Sequence, residues 1–503
     1  MADARLKRLV IVGGGSAGWM TAAALSSMLD SENTQITLVE SEQIGTVGVG
    51  EATIPDMMNF NRMLGIREAD FMKATQATFK LGIEFADWGR KGDRYFHPFG
   101  EHGADMQGID FHQYWLRAHQ GGSNHPIQDY SLCAIAGKAG KFCHPHENPK
   151  SVLSHIRYAY HFNATRYAQF LRQYAETRGV IRTEGKVESV NLTPETGHIQ
   201  TLILENGQTI EGDFFFDCSG FRALLMRQTL DVGFQDWSHW LPCNSAQTVA
   251  CEHVGPPPPY TVSTAKSAGW QWRIPTQTRT GNGHIYSSDF MADDAAHDIL
   301  MSGLDGKPIS DARTLRFTTG RLEEFWHKNC VGIGLSSGFL EPLESTSLYL
   351  IQMGISKFIT LFPDGSFPPV VVNEYNRQMR QQFDQVRDFI ILHYCATERD
   401  DSPFWNYCRT MSIPDSLQHK IELFQKAGRV FRYEDELFSR PSWVAVMLGQ
   451  NIIPEICDPI VSTLRDEQIS HSLNSMNRAM VDAAAKMPTH SAFIDQYCKA
   501  ANA

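Results

Sequence analysis

Leu9-Val10-Ile11-Val12-Gly13-Gly14-Gly15-Ser16-Ala17-Gly18 is the segment that decides how this chain folds. Its first four residues form an apolar run, which is typical of a buried parallel strand. Gly13, Gly15 and Gly18 follow with the G-x-G-x-x-G spacing, in which a tight turn opens a helix and exposes backbone amides to a pyrophosphate. The positive end of the helix dipole favours the phosphate charge. The segment therefore predicts a strand, a turn and a helix that bind a dinucleotide.

The residues after the glycines extend this unit. Small or apolar residues continue at helical spacing beyond Ala17, and residues 35–39 predict a second strand that ends in Glu40. Glu40 lies 22 residues after Gly18, where an acid is expected to accept hydrogen bonds from the ribose of an adenosine. No arginine follows this acid, which disfavours NADP at the site.

Composition limits the classes of function. The chain has 503 residues, of which 42% are hydrophobic and 20% charged, so it is long enough for two modules around a large core. A net charge of -11 disfavours a nucleic-acid partner, which needs a basic surface. The ten cysteines lack a C-x-x-C pair and the first residues lack an apolar signal region, so a cytoplasmic location is expected. No segment approaches the ~20 apolar residues of a membrane span.

Metal binding is not expected either. The histidines are numerous, and His144-Pro145-His146 is the closest pair. No carboxylate or cysteine stands near this pair at the spacing of metal ligands. We therefore predict no metal site.

Further segments mark the organisation of the chain. Residues 45–55 are rich in glycine and are predicted as a loop that approaches a ligand. Residues 180–190 predict a strand, and residues 199–205 and 208–216 predict a hairpin around Asn206-Gly207. Residues 90–150 lack periodicity and are predicted as an insertion of loops and short helices. From residue 374 the pattern is mostly helical.

Three motifs suggest chemistry, and each also has a plain structural interpretation. Lys80 lies inside an apolar segment, where a lysine commonly extends its ammonium group to the surface. Trp270 and Trp272 share one face of a predicted strand, and such pairs are often core contacts. Residues 339–347 start a helix whose free amides could hold an anion, and Glu344 there could simply stabilise the helix dipole. A second glycine turn at residues 330–338 lacks the acid expected about 20 residues later.

Together, these motifs resemble the flavin-dependent halogenases of the tryptophan and indole type over nearly the whole chain. The most specific match is Trp270-x-Trp272-x-Ile274-Pro275, which in that family is thought to keep substrate away from the flavin. Residues 48–53, the Lys80 segment and residues 339–347 also match. The resemblance implies an α/β fold with a Rossmann-like FAD-binding module of the flavin monooxygenase type (residues 1–365, with the insertion at 90–150 contributing to the substrate pocket) and a mostly helical substrate module (residues 366–503).

The resemblance also implies a reaction. FADH2 from a separate flavin reductase, O2 and chloride or bromide would yield hypohalous acid, which travels to a small electron-rich arene. Lys80 would either hydrogen-bond this oxidant or form a haloamine with it. Glu344 would orient the oxidant or take the proton from the ring. A homodimer is possible.

The implied site residues fall into four groups. The catalytic residues are Lys80 and Glu344, and the halide-binding residues are Thr346 and Ser347. Those for the cofactor are Gly13, Gly15, Ser16, Ala17, Gly18, Glu40, Val49, Gly50, Glu51, Ala52 and Leu335. Those for the substrate are His97, Phe99, Trp270, Trp272, Ile274, Pro275 and Phe438.

The chain departs from the family pattern at several positions. Ser347 stands where a glycine is usual, and Leu335 stands where flavoproteins often carry an aspartate. Ser439 follows Phe438 where a tryptophan is expected, and Ala427-Gly428 occupy the approximate place of a tyrosine pair that grips the amino-acid end of tryptophan. An unpaired ammonium or carboxylate would be disfavoured there, so indole or an indole derivative is expected in preference to free tryptophan.

Two other interpretations stay open from the sequence. A single-component aromatic hydroxylase also binds flavin, but it needs a place where a nicotinamide can reduce that flavin. A non-catalytic flavin-binding protein would have no use for Lys80 and Glu344.

Overall fold

The computed structural model describes residues 6–43 and 50–501, and its elements are numbered in chain order. The strands are β1 (Arg8–Val12), β2 (Gln35–Glu40), β3 (Gly50–Ala52), β4 (Thr78–Lys80), β5 (Gly82–Ala86), β6 (Arg94–Pro98), β7 (Ala159–Asn163), β8 (Ile181–Glu184), β9 (Val187–Leu192), β10 (Ile199–Leu204), β11 (Thr209–Glu211), β12 (Phe214–Asp217), β13 (Phe234–Asp236), β14 (Ser245–Cys251), β15 (Thr261–Lys266), β16 (Gly269–Pro275), β17 (Thr280–Tyr286), β18 (Arg313–Arg316), β19 (Gly320–Leu322), β20 (Trp326–His327), β21 (Cys330–Gly332) and β22 (Gly338–Phe339).

The α-helices are α1 (Ser16–Met28), α2 (Asp56–Met63), α3 (Glu68–Thr75), α4 (Phe111–Gln120), α5 (Leu132–Lys138), α6 (Ala164–Glu176), α7 (Asp293–Ser302), α8 (Ser347–Thr360), α9 (Pro369–Cys395), α10 (Pro403–Thr410), α11 (Asp415–Ala427), α12 (Arg440–Gly449), α13 (Asp466–Lys486) and α14 (His490–Tyr497).

The predicted strand β1 lies in the middle of a six-stranded sheet with the order β20-β21-β12-β1-β2-β8. Its pairings with β2 and β12 are parallel, as are those of β2 with β8 and of β12 with β21. β2 and β12 pair with β1 on opposite sides, so the strand order changes direction at β1. Sheets of this kind bind ligands in the crevice at the carboxyl end of such a strand. α1 starts in that crevice. The α/β, Rossmann-like fold is confirmed.

Two of the three motif glycines, Gly13 and Gly18, are required by backbone conformation and by close contacts. Gly13 has φ +116°, which side chains with a Cβ rarely adopt. A Cβ at Gly18 would lie 1.8 Å from the carbonyl oxygen of Gly13, so only glycine lets the helix start so near the strand. A Cβ at Gly15 would meet nothing within 4 Å, because this residue faces open space.

A seven-stranded sheet with the order β18-β14-β17-β16-β15-β5-β6 carries the tryptophan motif in β16 and His97 in β6. Beside it, a three-stranded sheet with the order β3-β7-β4 ends at Lys80, the last residue of β4. Since only Leu81 separates β4 from β5, Lys80 lies where the two sheets meet.

Several local predictions were wrong, and in each case a distant partner explains the difference. Residues 50–52, predicted as loop, form β3 because they pair with β7. Residues 94–98, inside the predicted insertion, form β6 against β5. Residues 180–190 split into β8 and β9, which belong to different sheets. The second arm of the hairpin ends at Glu211, after which β12 joins the main sheet.

The carboxyl-terminal part is helical from α9 onward, and a single hydrophobic core joins it to the sheets. The division into modules at residues 365 and 366 stays a prediction. No helix in the described part of the chain has the length and apolar character needed to cross a membrane.

Candidate active site

A cavity of about 810 Å³ opens at the carboxyl end of β1. Ligand pockets commonly have volumes of roughly 300–1,000 Å³, so this one suits a dinucleotide-sized ligand. Its lining includes most residues predicted for the cofactor, namely Gly13, Gly15, Ser16, Ala17, Glu40, Glu51, Ala52 and Leu335. Gly18 packs beneath the cavity and Gly50 lies in β3. Val49 lies outside the described residues.

The charges around the cavity fit an anionic dinucleotide. The free amides at the start of α1 face one part of it. Glu40 lies at another, where Arg182 donates to its carboxylate and Arg172 Nη1 lies 3.7 Å away. Both arginines line the cavity, and neither was predicted. Glycine turn, helix start and acid thus converge on one space, as the sequence predicts.

Trp270, Trp272 and Ile274 of β16 line the same cavity. The two indole rings lie 5.7 Å apart, so the motif forms one wall. Pro275 does not reach the cavity, and its carbonyl oxygen accepts a hydrogen bond of 2.6 Å from Thr78 Oγ1, which ties β16 to β4. All four residues of the motif were predicted to contact the substrate. Trp270, Trp272 and Ile274 instead line the same cavity as the residues predicted for the cofactor.

Lys80 is completely buried. Its ammonium group donates to the carbonyl oxygen of Thr53 (3.0 Å) and to Ser345 Oγ (2.8 Å), and it lies 5.0 Å from the centre of the Phe99 ring. Burial lowers the pKa of Lys80 to about 7, and the charge of Glu344 partly counteracts this. The interpretation of Lys80 as a surface-seeking lysine is wrong.

Glu344 is also buried, between two histidines. His97 Nδ1 donates to both carboxylate oxygens at 2.9 and 3.1 Å, and His393 Nε2 lies 2.8 Å from Oε1. His393 Nδ1 donates to the carbonyl oxygen of Phe389, which fixes the ring orientation. Burial acts to raise the pKa of Glu344, but the charges and hydrogen bonds of the histidines outweigh it and lower the pKa to about 2. Glu344 is therefore a carboxylate at neutral pH.

Residues 339–347, which we call the 339–347 turn, separate the cavity from Lys80. Ser345 has φ +61°, lines the cavity and accepts the hydrogen bond from Lys80. Thr346 caps α8, and its buried Oγ1 has no hydrogen-bond partner among the described residues. Ser347 begins α8 and lines the cavity. The start of α8 thus presents free amides close to the cavity and to Lys80.

Aromatic rings surround the side of Glu344 that faces away from the cavity. Phe438 stacks on Phe389 with 3.7 Å between ring centres, and it lies 6.3 Å from His97. Phe99 follows His97 by two residues and lies over Lys80. The predicted residues Lys80, Glu344, His97, Phe99 and Phe438 therefore lie in one neighbourhood.

Sequence reasoning missed His393, Ser345 and the carbonyl of Thr53. His393 stands in the apolar run Phe389-Ile390-Ile391-Leu392 of α9, and a polar residue after such a run is a usable signal. The other two are ordinary residue types that reach Lys80 only through the folded chain. Among the residues described, no group of histidine, cysteine and acidic side chains has the arrangement of a metal site.

Comparisons with known proteins agree with this geometry. A family model described as tryptophan halogenase matches residues 8–466. A flavin-dependent halogenase from Xanthomonas campestris is 47% identical, with a TM-score of 0.96 and 99% of each chain covered. BrvH, a flavin-dependent halogenase from Brevundimonas sp. BAL3, is 45% identical, with a TM-score of 0.95 and 99% of this chain and 100% of that chain covered. The tryptophan 6-halogenase SttH from Streptomyces toxytricini is 36% identical over 474 residues, which are 89% of this chain and 90% of the relative.

Proposed function

The chain belongs to the tryptophan halogenase family, and on that premise we propose that it halogenates indole and simple indole derivatives in preference to free tryptophan. It is a two-component flavin-dependent halogenase, which depends on a separate flavin reductase. We further propose FAD as the flavin and chloride or bromide as the halide. Bound FADH2 supplies, with O2 and halide, the hypohalous acid that the arene consumes. A homodimer and a cytoplasmic location stay predictions.

The observation that carries the proposal is the contact between Lys80 and Ser345. Ser345 lines the cofactor cavity, and Lys80 lies behind it beside Glu344 and Phe99. An oxidant that leaves the cavity at this point meets the ammonium group of Lys80 next. The same step brings it beside the His97 and Phe438 rings, where an indole would lie.

Lys80 is proposed to hold hypohalous acid by a hydrogen bond. Its hydrogen-bond and ring partners suit a cation, since Thr53 and Ser345 accept hydrogen bonds, Phe99 presents its ring and Glu344 carries negative charge. An ammonium donor increases the positive character of the halogen atom that the arene attacks. The haloamine alternative requires the neutral amine, which these neighbours disfavour.

Glu344 is proposed to stabilise the cationic ring intermediate and to take its proton. A carboxylate with a pKa of about 2 is a weak base, but a protonated arene is a strong acid, so a weak base suffices. The negative charge also stabilises the intermediate before the proton leaves. His97 and His393 keep the carboxylate ionised and fix its direction.

The halide is proposed to bind at the start of α8. The amides of Thr346 and Ser347 are free for an anion at a helix terminus, and the helix dipole favours negative charge there. The unpaired hydroxyl of Thr346 supplies a further donor. The serine at position 347 leaves these backbone donors in place.

The proposed preference for simple indoles rests on the acids near Phe438. Glu436 is buried and both of its oxygens lie 2.6 Å from Lys420 Nζ, so its carboxylate is already paired. Glu434 is exposed beside Arg377. Glu436 is therefore not free to hold the ammonium group of an amino acid. An apolar arene needs no such partner.

The test compares kcat/KM for indole and L-tryptophan with FAD, a flavin reductase, NADH and either halide. Products are identified by halogen isotope patterns in mass spectra. We expect brominated or chlorinated indole with a higher kcat/KM than for tryptophan. A clear preference for tryptophan contradicts the substrate proposal, and absence of halogenated product from every arene contradicts the whole proposal. The comparisons do not favour the hydroxylase or the non-catalytic interpretation.

A further inference from the structure

Glu341 is a second buried glutamate in the 339–347 turn, three residues before Glu344. It is completely buried. Its Oε2 accepts hydrogen bonds from Trp270 Nε1 (2.8 Å) and from the hydroxyl of Tyr394 (2.6 Å). Its Oε1 has no hydrogen-bond partner among the described residues. A buried carboxyl group that uses one oxygen for two donors needs an explanation beyond solubility or packing.

The two bonds join three parts of the site. Trp270 belongs to the wall of the cofactor cavity. Tyr394 follows His393 in α9, so the turn contacts α9 twice, through Glu341 with Tyr394 and through Glu344 with His393. Because the turn and α9 are joined at two points, both the distance between them and the orientation of the turn relative to α9 are fixed. Ser345, Thr346 and Ser347 continue the turn directly from this anchor.

The aromatic surroundings make this anchor rigid. The Trp270 ring lies 5.7 Å from Trp272 and 6.4 Å from Trp88, and the Tyr394 ring lies 5.5 Å from Trp88 and 6.0 Å from Trp405. These large side chains are buried and close-packed. Glu341 is the polar group that orients two of them, because directional hydrogen bonds select one ring orientation where packing alone allows several.

We propose that Glu341 is a positioning residue, which holds the 339–347 turn in register with α9 and Trp270 so that oxidant formed in the cavity passes to Lys80 instead of being lost. The proposal rests on the function proposed above. If the anchor is removed, Ser345 and Glu344 shift relative to Lys80 and His393. Displacements of about 1 Å reduce rates by up to 10²-fold in other enzymes, so the transfer of oxidant should suffer before its formation does.

The test uses three variants of the full-length protein. Glu341→Leu removes both acceptor bonds. Glu341→Gln keeps a carbonyl oxygen with two lone pairs for Trp270 and Tyr394 and places its amide where Oε1 has no partner. Tyr394→Phe removes one of the two bonds to Glu341, together with the 3.6 Å contact between the Tyr394 hydroxyl and Cys243 Sγ. Tyr167→Phe is the matched control, since it also loses a buried hydroxyl, which bonds to Asn61 in another part of the chain.

The measurement is the yield of halogenated indole per bound FADH2 in a single turnover. We expect roughly a tenfold lower yield for Glu341→Leu, a smaller loss for Tyr394→Phe, and yields within about twofold of wild type for Glu341→Gln and Tyr167→Phe. Normal yield in Glu341→Leu, or equal losses in the Leu and Gln variants, would overturn the proposal. If Glu341→Leu does not fold, Tyr394→Phe is compared with Tyr167→Phe. Equal yields of halogenated indole from these two variants would overturn the proposal.

A second readout needs no turnover. The near-ultraviolet circular dichroism of the cofactor-free protein reports the fixed orientation of its buried aromatic side chains, and Trp270 is one of the ten tryptophans that contribute to it. We expect the Leu variant to lose part of this signal and the Gln variant to keep it, while an unchanged signal in the Leu variant overturns the anchor. If wild type itself makes no halogenated indole, the proposed function fails, and this readout still decides the role of Glu341.

Discussion

Glu341 and Glu344 show how neighbouring side chains set the charge of a buried acid. Both belong to one turn and both are buried, yet their pKa values shift in opposite directions. Burial raises the pKa of Glu341 to about 7, because its partners, Trp270 and Tyr394, are uncharged donors. At Glu344 the two histidines outweigh burial. Glu341 is thus suited to a structural role, and Glu344 is suited to facing a cationic intermediate.

Lys80 should be needed for halogenation but not for oxidation of the cofactor. Lys80→Met keeps the length of the side chain and removes the group that holds the oxidant. We expect O2 consumption by the FADH2-loaded variant near the wild-type rate and no detectable halogenated indole, measured with an oxygen electrode and mass spectrometry. Lys73→Met, at an exposed lysine of α3, is the control. Wild-type yield from Lys80→Met would show that the oxidant reaches the arene without Lys80.

The pH dependence of the halogenation step should distinguish the two roles of Lys80. Its pKa of about 7 lies far below the usual value because burial disfavours the ammonium form. If the ammonium group holds the oxidant, the yield of halogenated indole per turnover falls as pH rises through about 7. We expect that fall between pH 6 and pH 8.5 in single-turnover experiments. A rise over the same range would favour the haloamine instead.

The raised pKa of Glu341 also predicts how stability changes with pH. The unfolded carboxyl group loses its proton near pH 4.5, and the folded one does so near pH 7. Between these values the unfolded state binds fewer protons, so this residue makes the fold less stable as pH rises. Glu341→Gln should therefore gain on wild type by up to about 3 kcal/mol between pH 4 and pH 8. Urea unfolding at both pH values measures the free energy of unfolding of each protein. An equal difference between Glu341→Gln and wild type at pH 4 and pH 8 would show that Glu341 does not titrate as described.

At the scale of elements, the sequence predicts what depends on local geometry. The turn after β1 and the start of α1 are predictable because Gly13 has a positive φ and because a Cβ at Gly18 would lie 1.8 Å from the carbonyl oxygen of Gly13. The shared face of Trp270 and Trp272 follows from strand periodicity. By contrast, β3 and β6 exist because distant strands pair with them. Ser345 and the carbonyl group of Thr53 reach Lys80 only through tertiary packing, whereas His393 had a local signal in the apolar run that precedes it.

The segment that carries Phe438 depends on a buried ion pair. Lys420 of α11 contacts both oxygens of Glu436, lies 4.2 Å from the centre of the Trp443 ring of α12, and so holds the segment between the two helices. Trp443 Nε1 also donates to Glu436. Such a pair is weakly favourable in itself, but removing one partner leaves an unpaired buried charge.

Glu436→Gln should therefore loosen this segment and weaken arene binding. We expect a loss of stability of about 3 kcal/mol and a several-fold higher KM for indole, with little change in O2 consumption by the FADH2-loaded protein. The double variant Lys420→Met/Glu436→Leu removes both charges and should recover most of the stability. Thermal unfolding and steady-state kinetics provide the measurements. An unchanged KM in a destabilised Glu436→Gln would mean that Phe438 does not depend on the pair.

At the scale of the whole molecule, the proposed function places oxidant formation and oxidant use in two separate parts of the structure. The cofactor cavity lies at the crevice of the main sheet, and Lys80, Glu344 and the aromatic rings lie behind the 339–347 turn. The turn is common to both compartments, because Ser345 and Ser347 line the cavity while Glu344 faces the histidines. The cavity and the surroundings of Lys80 are therefore connected through the side chains of this turn.

The arrangement of the two glycine turns leads to a prediction about how the flavin is reduced. The second turn, at residues 330–338, does not form a separate nucleotide site. Leu335 lines the same cavity as the first motif, and a Cβ at Gly334 would lie 2.8 Å from Cβ of Ala17 in α1. Both turns therefore face one cavity.

The FAD-loaded protein should accordingly be unable to oxidise NADH at a useful rate. In a stopped-flow experiment without O2, we expect flavin absorbance to stay nearly constant with NADH alone and to bleach when catalytic amounts of a flavin reductase are added. Reductase without the halogenase is the control for reduction of free FAD. Because hydride transfer needs the nicotinamide in contact with the flavin ring, bleaching by NADH alone as fast as steady-state halogenation would require a nicotinamide position within the cavity itself.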